Sequence, residues 1–179
     1  MNQILPTGTR EAGSGQVLAK GSHALWLTAF RRYLIVILLG NLAWEFAHMP
    51  LYTIWNTGTW GEIAFAAVHC TGGDVLIALS SLVLALLLVG NGAWPVDRFR
   101  AVAALTIIFG VAYTTFSEWV NIVIRAAWAY SDLMPVVTVL GFDVGLSPLL
   151  QWIVIPLAAF AWAGRLRDPA NGQTGALAK

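Results

Sequence analysis

The stretch Glu62–Val89, EIAFAAVHCTGGDVLIALSSLVLALLLV, decides the fold, because it is apolar over nearly its whole length. A helix that crosses a bilayer needs about 20 mostly apolar residues, since each residue adds about 1.5 Å to its length. Three further stretches meet this requirement, and we place them at Tyr33–Tyr52, Ala101–Ala127 and Leu146–Gly164. The sequence therefore predicts an all-α fold, a four-helix bundle that is integral to a membrane.

The composition supports the same conclusion. Of the 179 residues, 58% are hydrophobic and 11% are charged, whereas an average soluble domain has about a quarter charged residues. So few charges cannot cover a soluble globule, which excludes a soluble enzyme and a disordered chain. The lone Cys70 excludes a disulfide-stapled secreted domain, and a net charge of +1 excludes nucleic acid as a partner. The partners we expect are membrane lipid and a small or lipid-like hydrophobic substrate.

The basic residues predict an orientation for the bundle. Positive charge marks the cytoplasmic side of a multi-pass protein, and three arginine pairs fall on one side if four helices alternate across the membrane. These pairs are Arg31 with Arg32, Arg98 with Arg100, and Arg165 with Arg167. We therefore expect both termini of a transmembrane domain, residues 23–167, to be cytoplasmic, in a bacterial inner (plasma) membrane. Residues 1–22 and 168–179 are predicted to be flexible tails.

The connection Trp128–Gly145, between the third and fourth spans, is unusually apolar for a segment outside the membrane. Its only charged residues are Asp132 and Asp143. We expect this outer loop to lie in the membrane interface or to fold over the bundle as a lid, with Pro135 and Gly141 interrupting regular helix. A lid there would exclude water and admit a substrate from the membrane. A helix that only seals the end of the bundle is the alternative.

Ionisable side chains within the spans are candidates for a functional site, because a charge at mid-membrane costs about 2.5–3.5 kcal/mol. Counting inward from the outer ends of the spans places Glu45, His48, His69 and Glu118 in one layer, roughly 6–14 Å below the surface. Two histidines and two carboxylates form a ligand set that suits zinc or iron. The sequence therefore predicts that these four residues bind a divalent metal ion.

Three residues are candidates for catalytic roles beside that metal: Asp74, Glu118 and Arg125. Asp74 lies deeper than His69 and about 140° around the helix from it, which suits a proton relay or a supporting contact. Arg125 is the exception to the regular placement of arginines, and Asn121 shares its helix face. Gly72 and Gly73 remove side-chain bulk beside His69, which either allows two helices to approach closely or leaves room for a ligand.

Alternatives to this interpretation remain open. The polar layer can be a structural network, in which Glu45 bonds to His48 and Glu118 bonds to Asn121 or Arg125. It can also hold a b-type haem, with His48 and His69 as axial ligands. The function we expect is an enzyme that acts by metal-assisted hydrolysis, isomerisation or oxidation. The alternative is a non-catalytic metal- or haem-binding or assembly subunit of a larger membrane complex, and homo-oligomers are compatible with both.

Overall fold

The computed structural model describes the backbone of residues 9–167 and the side chains of residues 23–166. The helices, in chain order, are α1 (Thr9–His48), α2 (Ile54–Thr57), α3 (Trp60–Val89), α4 (Phe99–Glu118) and α5 (Leu146–Gly164). A π-helical segment, Trp119–Ile124, extends α4, and 3-10 turns follow α1 at Met49–Leu51 and α5 at Arg165–Arg167. Two strands, β1 (Val136–Val139) and β2 (Phe142–Gly145), precede α5.

Four helical segments are long and apolar enough to cross a membrane, which confirms the four predicted spans. They are His23–Leu51, Trp60–Val89, Phe99–Ile124 and Leu146–Gly164. Helix α1 begins earlier, at Thr9, so the backbone of residues 9–22 is helical where the sequence predicted a flexible tail. Residues 1–8 and 168–179 lie outside the described residues. The flexibility of the tails and the cytoplasmic position of the termini stay predictions.

The four long helices form a ring in which α1 and α4 each pack against both α3 and α5. One half of this ring, which we call the closed end, is filled by Tyr33, Trp94, Phe99 and Phe160 and their neighbours. The ring of Phe160 lies 5.0 Å from that of Tyr33 and 5.7 Å from that of Phe99, measured between centroids. Fully buried alanines, such as Ala78, let the helices approach closely. The closed end is therefore a packed apolar core.

Trp152 marks the boundary between this core and the other half of the bundle. It is buried against the core cluster and occupies the space beside Gly110 on α4. A Cβ atom at Gly110 would lie 2.2 Å from Trp152 Cε3, which is much closer than two non-bonded carbon atoms can approach. The absence of a side chain at Gly110 therefore allows the indole to lie between α4 and α5.

The all-α prediction is wrong for the loop before α5, which contains a β-hairpin. Its strands are antiparallel, with Val136 opposite Gly145 and Val139 opposite Phe142. The two turn residues, Leu140 and Gly141, have φ angles of 50° and 88°, as a type I′ turn requires. The hairpin forms because β-branched residues favour strands and because the paired strands satisfy each other's backbone groups.

Candidate functional site

A cavity of about 720 Å³ occupies the half of the bundle away from the closed end. We call this half, which contains Glu45, Asp74, Glu118 and Gln151, the site end. Every residue that the sequence proposed for a site lines this cavity: Glu45, His48, His69, Asp74, Glu118, Asn121 and Arg125. Ligand pockets typically measure about 300–1,000 Å³. The structure thus brings together the polar side chains of α1, α3 and α4 around a space large enough for a small molecule.

Glu45 and His48 form a hydrogen-bonded pair on one face of α1. His48 Nε2 lies 3.1 Å from Glu45 Oε2, and His48 Nδ1 lies 3.1 Å from Ser147 Oγ. Ser147 also accepts a hydrogen bond of 3.1 Å from Trp44 Nε1. One pattern satisfies all three contacts: Trp44 donates to Ser147, Ser147 donates to Nδ1, and Nε2–H donates to Glu45. Ser147 therefore fixes the orientation of the His48 ring.

Gln151, on α5, connects the polar groups of two other helices. Its Nε2 lies 2.9 Å from Asn41 Oδ1, 2.9 Å from Glu45 Oε1 and 3.0 Å from Asp74 Oδ2. An amide nitrogen has only two protons to donate, so three acceptors share two donors. Asp74 also lies within hydrogen-bonding reach of Glu45. Gln151 therefore holds the carboxyl groups of Glu45 and Asp74 side by side as a close pair.

Glu118, on α4, is positioned by Tyr130. The Tyr130 hydroxyl donates a hydrogen bond to Glu118 Oε2 and accepts one of 2.7 Å from the backbone N–H of Gly145. Burial and the neighbouring Glu118 carboxylate raise the pKa of Tyr130, so the phenol keeps its proton and remains a donor. Glu118 is therefore held as a hydrogen-bond acceptor at the cavity wall.

Arg125 and His69 lie at the rim of the cavity. Arg125 is exposed and donates a hydrogen bond of 3.2 Å from Nη1 to Asn121 Oδ1. In the structural-network alternative Glu118 would pair with Asn121 or Arg125, but the hydrogen bond that the structure gives Glu118 comes from Tyr130. His69 is also exposed, and its ring stacks on Phe65 at a centroid distance of 5.6 Å. Neither rim residue is bonded to a buried carboxyl group.

The predicted metal ligands share the cavity but do not form a ligand set. Among the residues that the structure describes, no group of three or more His, Cys, Asp or Glu side chains is placed to hold a metal ion. Both ring nitrogens of His48 are engaged by Glu45 and Ser147, and His69 lies apart at the rim. Metal or haem binding therefore stays a prediction. It requires one ring nitrogen of His48 to give up its hydrogen bond and bind the metal instead.

Two residues that line the cavity are exposed on the outside of the bundle. They are Leu76 on α3 and Tyr113 on α4, which are 66% and 50% exposed. Both belong to helices that are long and apolar enough to cross a membrane. Gly73 also lines the cavity, and a Cβ atom there would have no neighbour within 4 Å. This glycine therefore leaves room in the cavity and does not mediate a close helix contact.

Two residues of the site, Gln151 and Tyr130, were not predicted from the sequence. Gln151 had a detectable signal, because it is the bulkiest polar side chain in the otherwise apolar fourth span. Tyr130 had none, because its position depends on contacts between distant loops. The backbone N–H of Thr53 donates to the carbonyl of Ala129 at 3.0 Å, and that of Ser131 donates to the carbonyl of Leu51 at 2.9 Å.

Comparison with known proteins gives no relative for this fold and site. No protein-family model matches the chain, and no curated protein or solved structure is significantly similar to it. The function must therefore be argued from the chemistry of the cavity.

Proposed function

We propose that the protein is a multi-pass membrane enzyme that isomerises a membrane-soluble substrate by transferring protons to and from it. The proposal depends on one observation: the carboxyl pair of Glu45 and Asp74 and the separate carboxylate of Glu118 line the same cavity. Such a reaction requires an acid and a base within reach of one bound molecule. The exposure of two lining residues, Leu76 and Tyr113, on apolar helices supports a substrate that enters from the membrane.

The two sets of carboxyl groups have different surroundings, which suits them to different roles. Glu45, in its protonated form, gives a proton to the substrate; afterwards Glu118 releases the proton it has taken up to water, and the Glu45–Asp74 pair takes up another from water, which restores the starting state. Glu118 accepts a hydrogen bond from Tyr130 and can accept a proton from the substrate. The acid adds a proton to one carbon of a double bond while the base removes a proton from a nearby carbon. The double bond moves, and no other reactant is consumed.

A serine hydrolase mechanism is the nearest alternative, because Ser147, His48 and Glu45 are hydrogen-bonded in series, as in a catalytic triad. The placement of Ser147 argues against it. The adjacent Pro148 lines the cavity, but Ser147 does not, and Trp44 already donates to its hydroxyl. We therefore assign Ser147 the role of orienting His48.

Deuterium incorporation tests the proposal before the substrate is known. Membranes that contain the protein are incubated in D₂O with a total lipid extract, and the lipids are analysed by mass spectrometry for deuterium on carbon. We expect a labelled compound whose formation slows by about 10²–10⁴-fold in Glu118→Gln and in Glu45→Gln. Thr106→Val, buried outside the cavity, is the control and should match the wild type. Labelling that is absent, or equal in all variants, contradicts the proposal.

Metal and haem content must be measured on the same protein, because a bound metal would change the role of the cavity residues. Zinc or iron at Glu45, His48, His69 and Glu118, or haem b, would appear in elemental analysis and the absorption spectrum. Stoichiometric metal that is lost in the Glu45→Ala/His48→Ala double variant would support the predicted metal site. Constant copurification with a larger complex, without activity in isolation, would support the assembly-subunit alternative.

A further inference from the structure

One buried threonine in the cavity lacks the hydrogen bond that similar threonines make. Thr71, Thr106 and Thr115 each donate a hydroxyl proton to the carbonyl four residues earlier, at 2.8–2.9 Å. Thr114 is only 6% exposed, and its Oγ1 has no hydrogen-bond partner among the residues that the structure describes. Because Thr114 lines the cavity, its hydroxyl is available to a molecule bound there. A buried hydroxyl that remains unpaired is unfavourable, so a ligand that pairs with it is stabilised.

Trp128 provides a second unpaired group in the same cavity. Its indole Nε1 is buried and within reach of the Glu118 carboxyl group, but no acceptor among the described residues meets the geometry of a hydrogen bond with it. The residue lines the cavity, and Thr114 lies one helical turn before Glu118 on α4. An indole N–H can only donate. A ligand that satisfies Trp128 must therefore present an acceptor close to Glu118.

The charges around the cavity limit what that acceptor can be. Three acidic side chains, Glu45, Asp74 and Glu118, line the cavity against one arginine, Arg125 at the rim, so a carboxylate or phosphate ligand is disfavoured. A protonated amine carries donors but no acceptor for the Trp128 N–H. An uncharged oxygen, in a hydroxyl or carbonyl group, can accept from both Thr114 and Trp128.

We infer that the cavity binds a mainly apolar, uncharged molecule whose hydroxyl or carbonyl oxygen is held by Thr114 and Trp128 beside Glu118. This inference rests on the proposed function and names the class of its substrate. The volume of about 720 Å³ accommodates a molecule of drug size. Such a molecule would reach the cavity from the lipid phase beside the exposed lining residues Leu76 and Tyr113.

Binding to the purified full-length protein in lipid nanodiscs tests the inference. The probes share one carbon skeleton with the same double bonds and differ in the head group: farnesol, farnesal, farnesylamine, farnesoic acid and the corresponding triene hydrocarbon with no head group. We expect the Kd values of farnesol and farnesal, measured by calorimetry, to be about threefold to tenfold lower than those of the amine, the acid and the hydrocarbon. This difference corresponds to one or two added hydrogen bonds. Thr114→Val, which keeps the shape and removes the hydroxyl, should abolish this preference. Thr106→Val should preserve it.

Trp128→Phe is the second variant, since it removes the N–H and keeps an aromatic ring, and it should also reduce the preference. The inference is overturned if neither farnesol nor farnesal binds, or if the amine or the acid binds more tightly than these two probes. It is also overturned if both Thr114→Val and Trp128→Phe keep the wild-type preference. Oxygen-selective binding without deuterium labelling would preserve the inference and refute the proposed isomerase. Deuterium labelling of a compound without a hydroxyl or carbonyl group would support the proposed isomerase and refute the inference.

Discussion

The same four helices form two halves with opposite character. At the closed end, Tyr33, Phe99 and Phe160 pack ring against ring. At the site end, the carboxyl groups of Glu45 and Asp74 line a cavity. Close packing stabilises a fold, whereas empty space and grouped buried carboxyl groups destabilise it. The closed end therefore stabilises the fold, whereas the site end lowers its stability.

The largest difference we expect is between Phe160→Ala and Glu45→Gln. Phe160 is 3% exposed, so Phe160→Ala should lower the free energy of unfolding by about 3–5 kcal/mol. Glu45→Gln should change it by about 1 kcal/mol or less, because the loss of one acid also relieves crowding around Asp74. Both values can be measured by denaturation in mixed detergent micelles. If Glu45→Gln is as unstable as Phe160→Ala, the polar layer is a structural network.

Hydropathy predicts the helices well because each span is a local property of the sequence. The depth of a residue is also local, which is why counting along the spans placed Glu45, His48 and Glu118 around one cavity. The direction of a side chain depends on its neighbours. His48 was predicted as a metal ligand, but Ser147 lies close enough to engage its second nitrogen. No pattern in α1 could indicate that contact.

The next effect concerns the boundary between the two halves, where Gly110 faces Trp152. Gly110→Leu should destabilise the protein by about 1–3 kcal/mol, because α4 and α5 must separate to admit a side chain. Gly72→Leu is the matched control, since a Cβ atom at Gly72 meets nothing within 4 Å, and it should change stability by about 0.5 kcal/mol or less. Equal melting temperatures for these two variants would contradict the tight contact at Gly110.

The pH dependence of stability tests how Tyr130 is held. Its phenol ionises near pH 10 when unfolded, at about its ordinary pKa, but burial and Glu118 raise the pKa in the folded protein. Above about pH 10 the folded state therefore binds more protons, so stability is fully present below that pH and falls as the pH rises further. Tyr130→Phe should reduce this fall and, at neutral pH, lower stability by about 1 kcal/mol.

Melting temperatures measured between about pH 8 and about pH 11 would show this effect. Tyr52 should preserve part of the slope in Tyr130→Phe, because burial, then Glu118, also raises the pKa of Tyr52. Tyr113→Phe is the control, a tyrosine at the cavity rim that is 50% exposed. A slope that is unchanged in Tyr130→Phe would show that Tyr130 does not keep its proton as described.

The smallest effect is expected in the hairpin, which belongs to neither half. Asp143 Oδ1 accepts a hydrogen bond of 2.8 Å from Thr138 Oγ1, and both side chains are exposed. Asp143→Ala should therefore change stability by about 0.5 kcal/mol or less. Farnesol binding and deuterium labelling should stay at wild-type levels, because neither residue lines the cavity. Loss of either property in Asp143→Ala would mean that the hairpin acts as the lid that the sequence predicted, and residues 136–145 would then belong to the site end.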